Sequence, residues 1–321
     1  MEELTTIDFS TGKILVVGDI MLDKYYFGKV ERISPEAPVP IVNITREESR
    51  LGGAANVANN ICSLGGQALL CGTIGRDLFG KGVERLAKQQ AVQAYFTKTD
   101  GPTITKARII GERQQIVRLD YEQKRVPDPQ TMQHLQAQIA ELFPLVHLVV
   151  ISDYGKGLVS DALCRFLIET AHEQGLPVLV DPKGKAWGKY AGATLITPNV
   201  KELGDVLGYS VPNDNPHIET AGKEVLARFG LTALLVTRSE QGMSLIHPDG
   251  VLHIPTLAQE VFDVSGAGDT VVATLALALA TGKTITEAIH VANVAAGIVV
   301  RKIGTATLTL EELRQVLTKT K

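Results

Sequence analysis

The sequence predicts an α/β fold: a mostly parallel central sheet with helices on both faces, plus a small β-sheet lid. Three observations lead there. Short apolar runs rich in β-branched residues alternate with helix-length amphipathic stretches, the pattern of strands joined by crossover helices. The strand-like runs end in glycine and polar residues, as the ligand-bearing edge of an open parallel sheet does. Two β-like segments, near 24–48 and 103–120, break the alternation and are read together as the lid. Residues 1–321 are read as a single domain, with no internal repeat, low-complexity tract or long linker.

Each element has its own reason. Residues 13–18 are a buried strand closed by glycine, which delivers Asp19 and Asp23 beyond its carboxyl end. Residues 25–48 carry Pro35, Pro38 and Pro40 and read as short strands outside the main sheet, since proline is confined to edges. Gly52-Gly53 opens a helix with Val57, Ile61 and Leu64 on its apolar face; the glycine pair admits a ligand or merely turns the chain. A strand at 67–72 and a helix from Asp77 to Ala87 follow. Residues 103–110 and 114–120 form a hairpin about Gly111-Glu112-Arg113, whose tip places Arg113 over a site or in solvent. After a helix at 130–142, strands at 146–152, 177–180, 193–196 and 233–236 alternate with helices at 161–173, after Asn199, and at 221–229. A hairpin at 243–246 and 251–254 turns at Pro248-Asp249-Gly250. Three helices end the chain, the first entered at Asp269, then 285–300 and 310–317.

Composition excludes several functional classes. The formal net charge is −3 and aromatics make up 5% of residues, which argues against nucleic acid and anionic membrane as partners. No apolar run is long enough to span a bilayer and no signal peptide is legible, so the expected location is the cytoplasm. Cys62, Cys71 and Cys164 show no metal spacing and read as reduced thiols. Gly18-Asp19 is not followed by the glycine fingerprint of a dinucleotide-dependent oxidoreductase.

The chemistry concentrates in Asp263-Val264-Ser265-Gly266-Ala267-Gly268-Asp269-Thr270. A glycine-rich turn feeding a helix points unpaired N–H groups at one spot, which suits a phosphate. Asp269 at the helix mouth is placed to take a proton from a hydroxyl. The alternative is a buried helix cap and nothing more. Polar groups at the other strand ends (Asp19 and Asp23, Asp153 and Lys156, Asp181 and Lys183, Asn199 and Glu202, Thr237 and Arg238) would line the same edge and favour a site. Asn199-x-x-Glu202 offers either oxygen ligands for a hydrated Mg2+ or a capping box. Lys156 and Lys183, in glycine-containing turns, suit a phosphorylated acceptor or are solvated turn residues.

These motifs in this order resemble the ribokinase-like, or PfkB, family of carbohydrate kinases, over about residues 14–308. The resemblance implies ATP and Mg2+ as cofactors, an anion hole at Gly266, Ala267 and Gly268, and Asp269 as base. It implies acceptor contacts from Asp23, Gly52, Gly53, Asn56 and Asp269, with Arg113, Lys156 and Lys183 added from the residue reading. It implies nucleotide contacts from Asn199, Glu202, Thr237, Ser239, Gly242, Asp263, Gly268 and Asn293, with Mg2+ near Glu202 through water. A monovalent cation such as K+ beside Asp263 and Gly304, and a homodimer formed through the lid, also belong to the family pattern. Ser239 stands where the pattern has glycine. Within the family, residues 32–40, 152–157 and 181–184 are most similar to the D-glycero-β-D-manno-heptose-7-phosphate kinases of ADP-heptose and lipopolysaccharide synthesis. That similarity implies ATP-dependent phosphorylation of the anomeric C1 hydroxyl of the heptose 7-phosphate to the 1,7-bisphosphate. Many such proteins carry a nucleotidyltransferase domain as well. The rivals are another sugar, sugar-phosphate or nucleoside kinase of this family, and a catalytically silent sugar-binding regulator.

Overall fold

The computed structural model describes residues 7–112, 114–257 and 260–319. The first strand, β1 (Lys13–Gly18), is apolar from Ile14 up to its closing glycine and lies inside the main sheet. The chain then leaves that sheet at Asp19. It forms β2 (Ile20–Ile33) and β3 (Pro40–Gly53), two fourteen-residue antiparallel strands rather than the several short ones expected from the prolines. The prolines do not interrupt them, because Pro35 and Pro38 lie in the connecting turn and Pro40 begins an edge strand.

Helix α1 (Ala54–Ser63), β4 (Gln67–Gly75), α2 (Leu78–Gln89) and β5 (Gln93–Thr99) return the chain to the main sheet. The sequence reading missed β5; it is the sheet's outer edge strand, mostly half-buried or exposed, and so lacks the apolar run that marks a central strand. Next come β6 (Ile104–Gly111) and β7 (Gln114–Tyr121), the expected hairpin. β6 runs parallel to β2, giving a separate four-stranded sheet in the order β3-β2-β6-β7.

The remaining elements are α3 (Pro129–Leu142), β8 (Leu148–Ser152), α4 (Asp161–Glu173), β9 (Val178–Asp181) and β10 (Leu195–Ile196). They continue with α5 (Val200–Leu207), α6 (Asn215–Phe229), β11 (Leu234–Thr237), β12 (Met243–His247) and β13 (Gly250–Ile254), and close with α7 (Ala267–Ala280), α8 (Ile285–Val299) and α9 (Leu310–Lys319). Helix α6 begins six residues earlier than its apolar spacing indicates, because Asp214 caps it and Pro216 fits its first turn. The main sheet has the order β13-β12-β11-β10-β9-β8-β1-β4-β5, with β12 alone running antiparallel to its neighbours.

Alternation along the central strands builds two cores. Ile14 and Val16 of β1 face α1, α7 and α8, whereas Leu15 and Val17 face α3 and α4 on the opposite side. Helix α7 is apolar on every side and buried from Asp269 to Ala278, as a helix wedged between the sheet and two other helices must be. That burial fixes the mouth of α7 at the carboxyl edge of the sheet. Trp187 is fully buried and donates to Gly184 O, a packing role. Burial pushes the Cys71 and Cys164 thiols up to about 12. Among the described residues no helix is long and apolar enough to cross a membrane.

Candidate active site

Gly266, at φ 79°, turns the chain into α7, and Asp269 follows one turn later, 4% exposed. Both carboxylate oxygens are held: the Tyr154 phenol donates to Oδ1 at 2.6 Å and the Asn56 amide to Oδ2 at 2.7 Å. Burial raises the Asp269 carboxyl to about 6; the bonds from Tyr154 and Asn56 oppose that rise, Asp23 adds to it and Lys106 subtracts. Thr270 donates to Asn60 Oδ1, tying α7 to α1 behind Asp269. A Cβ on Gly266 would crowd Asn56 Nδ2 at 3.0 Å, whereas one on Gly268 would meet no protein atom within 4 Å. Packing therefore requires glycine at 266 but not at 268, where its absence of a side chain keeps the helix mouth clear. Ala267 donates its N–H to Val264 O, so of the three amides expected to cradle an anion it is already engaged.

The second sheet supplies the other wall. Asp23 on β2 is 4% exposed and accepts from Arg108 Nη1 at 2.6 Å. Gly52 and Gly53 are explained by the chain's own packing. A Cβ on Gly52 would lie 2.6 Å from Asp23 Oδ2; Gly53, at φ +59°, caps α1 and would press a Cβ to 2.4 Å from Asp19 O. Asp19 is a brace for the neighbouring loop: its carboxylate accepts the amides of Tyr154, Lys156 and Leu158. Burial, the first of several opposing influences, raises its carboxyl above the ordinary value.

Lys106 lies opposite Asp23 in the β2–β6 register, half-buried, its ammonium 5.9 Å from the centre of the Tyr154 ring. Burial, and then the charge of Lys156, lowers its pKa. Sequence reasoning missed Lys106, Arg108 and the Tyr154 phenol. The two cations stand two apart on a strand whose Thr105 and Ala107 are buried, so alternation alone puts them on one face.

On the opposite side, Asn199 and Glu202 form the capping box: Asn199 Oδ1 accepts the Glu202 amide at 2.9 Å and Glu202 Oε2 accepts the Asn199 amide at 3.1 Å. Asn199 thus makes the helix cap that its spacing from Glu202 allows. Glu202 Oε1 is 2.7 Å from Lys183 Nζ. Lys156 pairs instead with Glu122 at 2.6 Å, so the two lysines expected to share an acceptor phosphate are held by different acids. Asp181, at the end of β9, shares a cavity of about 180 Å³ with Lys183, Glu202, Gly268 and Asp269. Burial, and then the charges of Asp269 and Glu202, raise Asp181 well above the ordinary carboxylate range. Among the described residues no cluster of three or more metal-binding side chains is found.

Thr237, beside Asn199 and Ser239, lines an adjoining cavity of about 840 Å³. Ser239 adopts φ +51° and Gly242 φ +81°. Ser239 thus stands at a positive φ that glycine adopts more readily, at a cost of roughly 1–2 kcal/mol. Asn293 donates to Pro255 O at 2.8 Å, bracing the loop after β13. Asp263 accepts the amides of Ser265 and Gly304; burial works against its charge, but these bonds hold its carboxyl below the ordinary value. Arg113 lies outside the described residues.

Comparison with known proteins agrees with this arrangement. Residues 11–313 match the family model described as pfkB family carbohydrate kinase. The bifunctional protein HldE of Pseudomonas syringae pv. syringae is 46% identical over 311 residues, covering 96% of this chain and 64% of that protein. Its namesake in Pseudomonas aeruginosa is 46% identical over 309 residues, with the same coverage. The chain therefore spans about 64% of the length of these relatives. Among solved structures, the potassium complex of phosphofructokinase-2 from Escherichia coli superposes with a TM-score of 0.79 at 19% identity, covering 97% of this chain and 99% of that one. Arabidopsis thaliana ribokinase complexed with ribose and ATP gives 0.76 at 20%, covering 96% and 99%. At these identities the two structures establish the ribokinase-like fold. By the match of its sequence over nearly its whole length, the chain belongs to the pfkB family of carbohydrate kinases.

Proposed function

We propose that this kinase transfers the γ-phosphoryl group of ATP to the anomeric C1 hydroxyl of D-glycero-β-D-manno-heptose 7-phosphate. The similarity to the HldE proteins supports the heptose, and one observation carries the phosphorylated acceptor. Lys106 is a half-buried ammonium beside Asp269 and Lys156, and no ion pair to it is found among the described residues. A half-buried ammonium with no ion pair is costly even with Asp23 and Asp120 near it, and the phosphate of the acceptor would neutralise it.

In this reading Asp269 takes the hydroxyl proton as the acceptor oxygen bonds to the γ-phosphorus and the bond to the β,γ-bridging oxygen breaks, releasing ADP. The amides at Gly266 and Gly268 receive the growing charge. The oxygen donors Asp181 and Glu202 fit a hydrated Mg2+, and Lys183 already sets a positive charge against Glu202. Bound there, the metal ion would draw charge from the nucleotide phosphates. The cavity beside Thr237 and Ser239, at about 840 Å³, has room for the nucleoside. Asn293 and Gly242 act on the chain that leaves β13, Asn293 by bonding Pro255 O and Gly242 by packing against Ile254 O. A K+ requirement near Asp263 and Gly304, a homodimer through the second sheet, one domain over 1–321 and a cytoplasmic location are further parts of the proposal.

The test is ADP release with heptose 7-phosphate, unphosphorylated heptose, fructose 6-phosphate, ribose and adenosine, each with and without Mg2+. Mg2+-dependent turnover of the heptose 7-phosphate alone is expected. Faster turnover of another acceptor would replace the heptose; none with any acceptor would favour a binding protein.

A further inference from the structure

The Asp269 carboxylate bears two side-chain donors, one from each direction, and they come from different parts of the chain. Asn56 belongs to α1, which packs against α7. Tyr154 belongs to the loop after β8, and that loop is fixed from below by Asp19: the buried Asp19 carboxylate accepts the amides of Tyr154, Lys156 and Leu158. The phenol is thus aimed at Oδ1 by a braced backbone and not by a flexible turn. Its 2.6 Å length is that of a bond from a hydroxyl to a charged oxygen. The ring is covered by Lys106 from β6. The charged and titratable groups around Asp269 are Tyr154 from its loop, Asp23 from β2, Lys106 from β6 and Asp181 from β9.

We propose that Tyr154 is a positioning residue for the reaction: its phenol, aimed by the braced loop, holds the Asp269 carboxylate in its proton-accepting form with one oxygen turned toward the acceptor. The inference rests on Asp269 being the base of the proposed kinase reaction. A hydrogen bond to the charged form favours that form, and in a buried site the effect of losing one is larger than in water. Without the phenol, the remaining donor and Lys106 would have to oppose burial and the carboxylates of Asp23 and Asp181.

The experiment is the pH profile of kcat/KM for the full chain, with Mg2+ and ATP held constant and whichever sugar acceptor the wild type turns over. Tyr154→Phe should move the acid limb upward by about one to two pH units, the value of a hydrogen bond to a charged group. At pH 7 that lowers the rate about two- to ten-fold, and the deficit should close by pH 9. Tyr190→Phe removes a phenol bonded at the same 2.6 Å to Asp153 and should leave the limb in place. If Tyr154→Phe fails to fold, 3-fluorotyrosine at 154, a stronger donor of nearly the same shape, should move the limb downward. A limb that stays put in Tyr154→Phe, or one that fails to move downward with fluorotyrosine, overturns the proposal. A different acceptor would remove the heptose assignment and leave this comparison standing.

Discussion

Asp269 is held where a carboxylate is unfavourable, and both its reactivity and its effect on stability follow from that. Asp269→Asn should lower kcat by about 10²–10⁴ with a small change in KM, the range for loss of a positioned base; near-normal turnover would remove it from that role. The same substitution has a stability signature. The folded value, about 6, stands above the ordinary 3.8. Protonation is therefore favoured by the fold: that stabilisation is complete below pH 3.8 and is lost as pH rises through 6. The gap corresponds to about 3 kcal/mol at neutral pH. Between pH 4 and pH 7 the unfolding free energy of the variant should accordingly gain on that of wild type by up to about 3 kcal/mol, measured by urea titration. A difference that does not change with pH would show that the carboxylate is not strained. Asp269 and its glycines were legible in the sequence because the turn, the helix start and the carboxylate lie within one octapeptide. Tyr154 was not singled out as the partner of the base, because the contact joins residues 115 positions apart and only the strand order brings them together.

At the scale of elements, two glycines at helix starts make opposite predictions. Gly53 caps α1 in a left-handed conformation against Asp19 O, so Gly53→Ala should cost at least about 2 kcal/mol in unfolding free energy. Gly268 lies in the first turn of α7 with open space beside it, so Gly268→Ala should fold as stably as wild type. Its cost should appear in kcat/KM for ATP, about ten-fold or more, because the added methyl stands in the anion cradle. Full activity in Gly268→Ala would place the nucleotide phosphates elsewhere. On β6, Lys106→Met should raise KM for heptose 7-phosphate by about ten- to a hundred-fold and leave kcat within a few-fold. An unchanged KM would sink the idea that Lys106 reads the phosphate of the acceptor. The sequence disclosed β6 as a strand yet not its role: Lys106 and Arg108 gain meaning only from lying beside Asp23 and Tyr25 of β2, a pairing that alternation does not contain. The capping box was legible in full, because its four residues are local.

The whole molecule poses a question of cover. The alternation of strands and helices disclosed the main sheet, since every central strand is buried on both faces, and the second sheet was legible as the part that broke that rhythm. Its length was not. β2 and β3 run fourteen residues each and, with their connecting turn and β7, carry Ile33, Val39, Ile44, Ile116, Val117 and Leu119 exposed. All eight residues of β7 are exposed, and so are residues 43–47 of β3. A projecting sheet of this kind cannot build a core of its own, and apolar groups on it mark an association surface. A second copy of this sheet, laid across the first, would bury them and steady the wall that carries Lys106 and Arg108. The protein should then sediment as a dimer at micromolar concentration. Val117→Glu with Ile44→Glu should give a monomer with an unchanged melting transition of the main domain and a raised KM for the acceptor. A wild-type monomer, or a double variant that remains dimeric, would mean that the second sheet is covered in some other way and that its apolar residues serve the acceptor site alone.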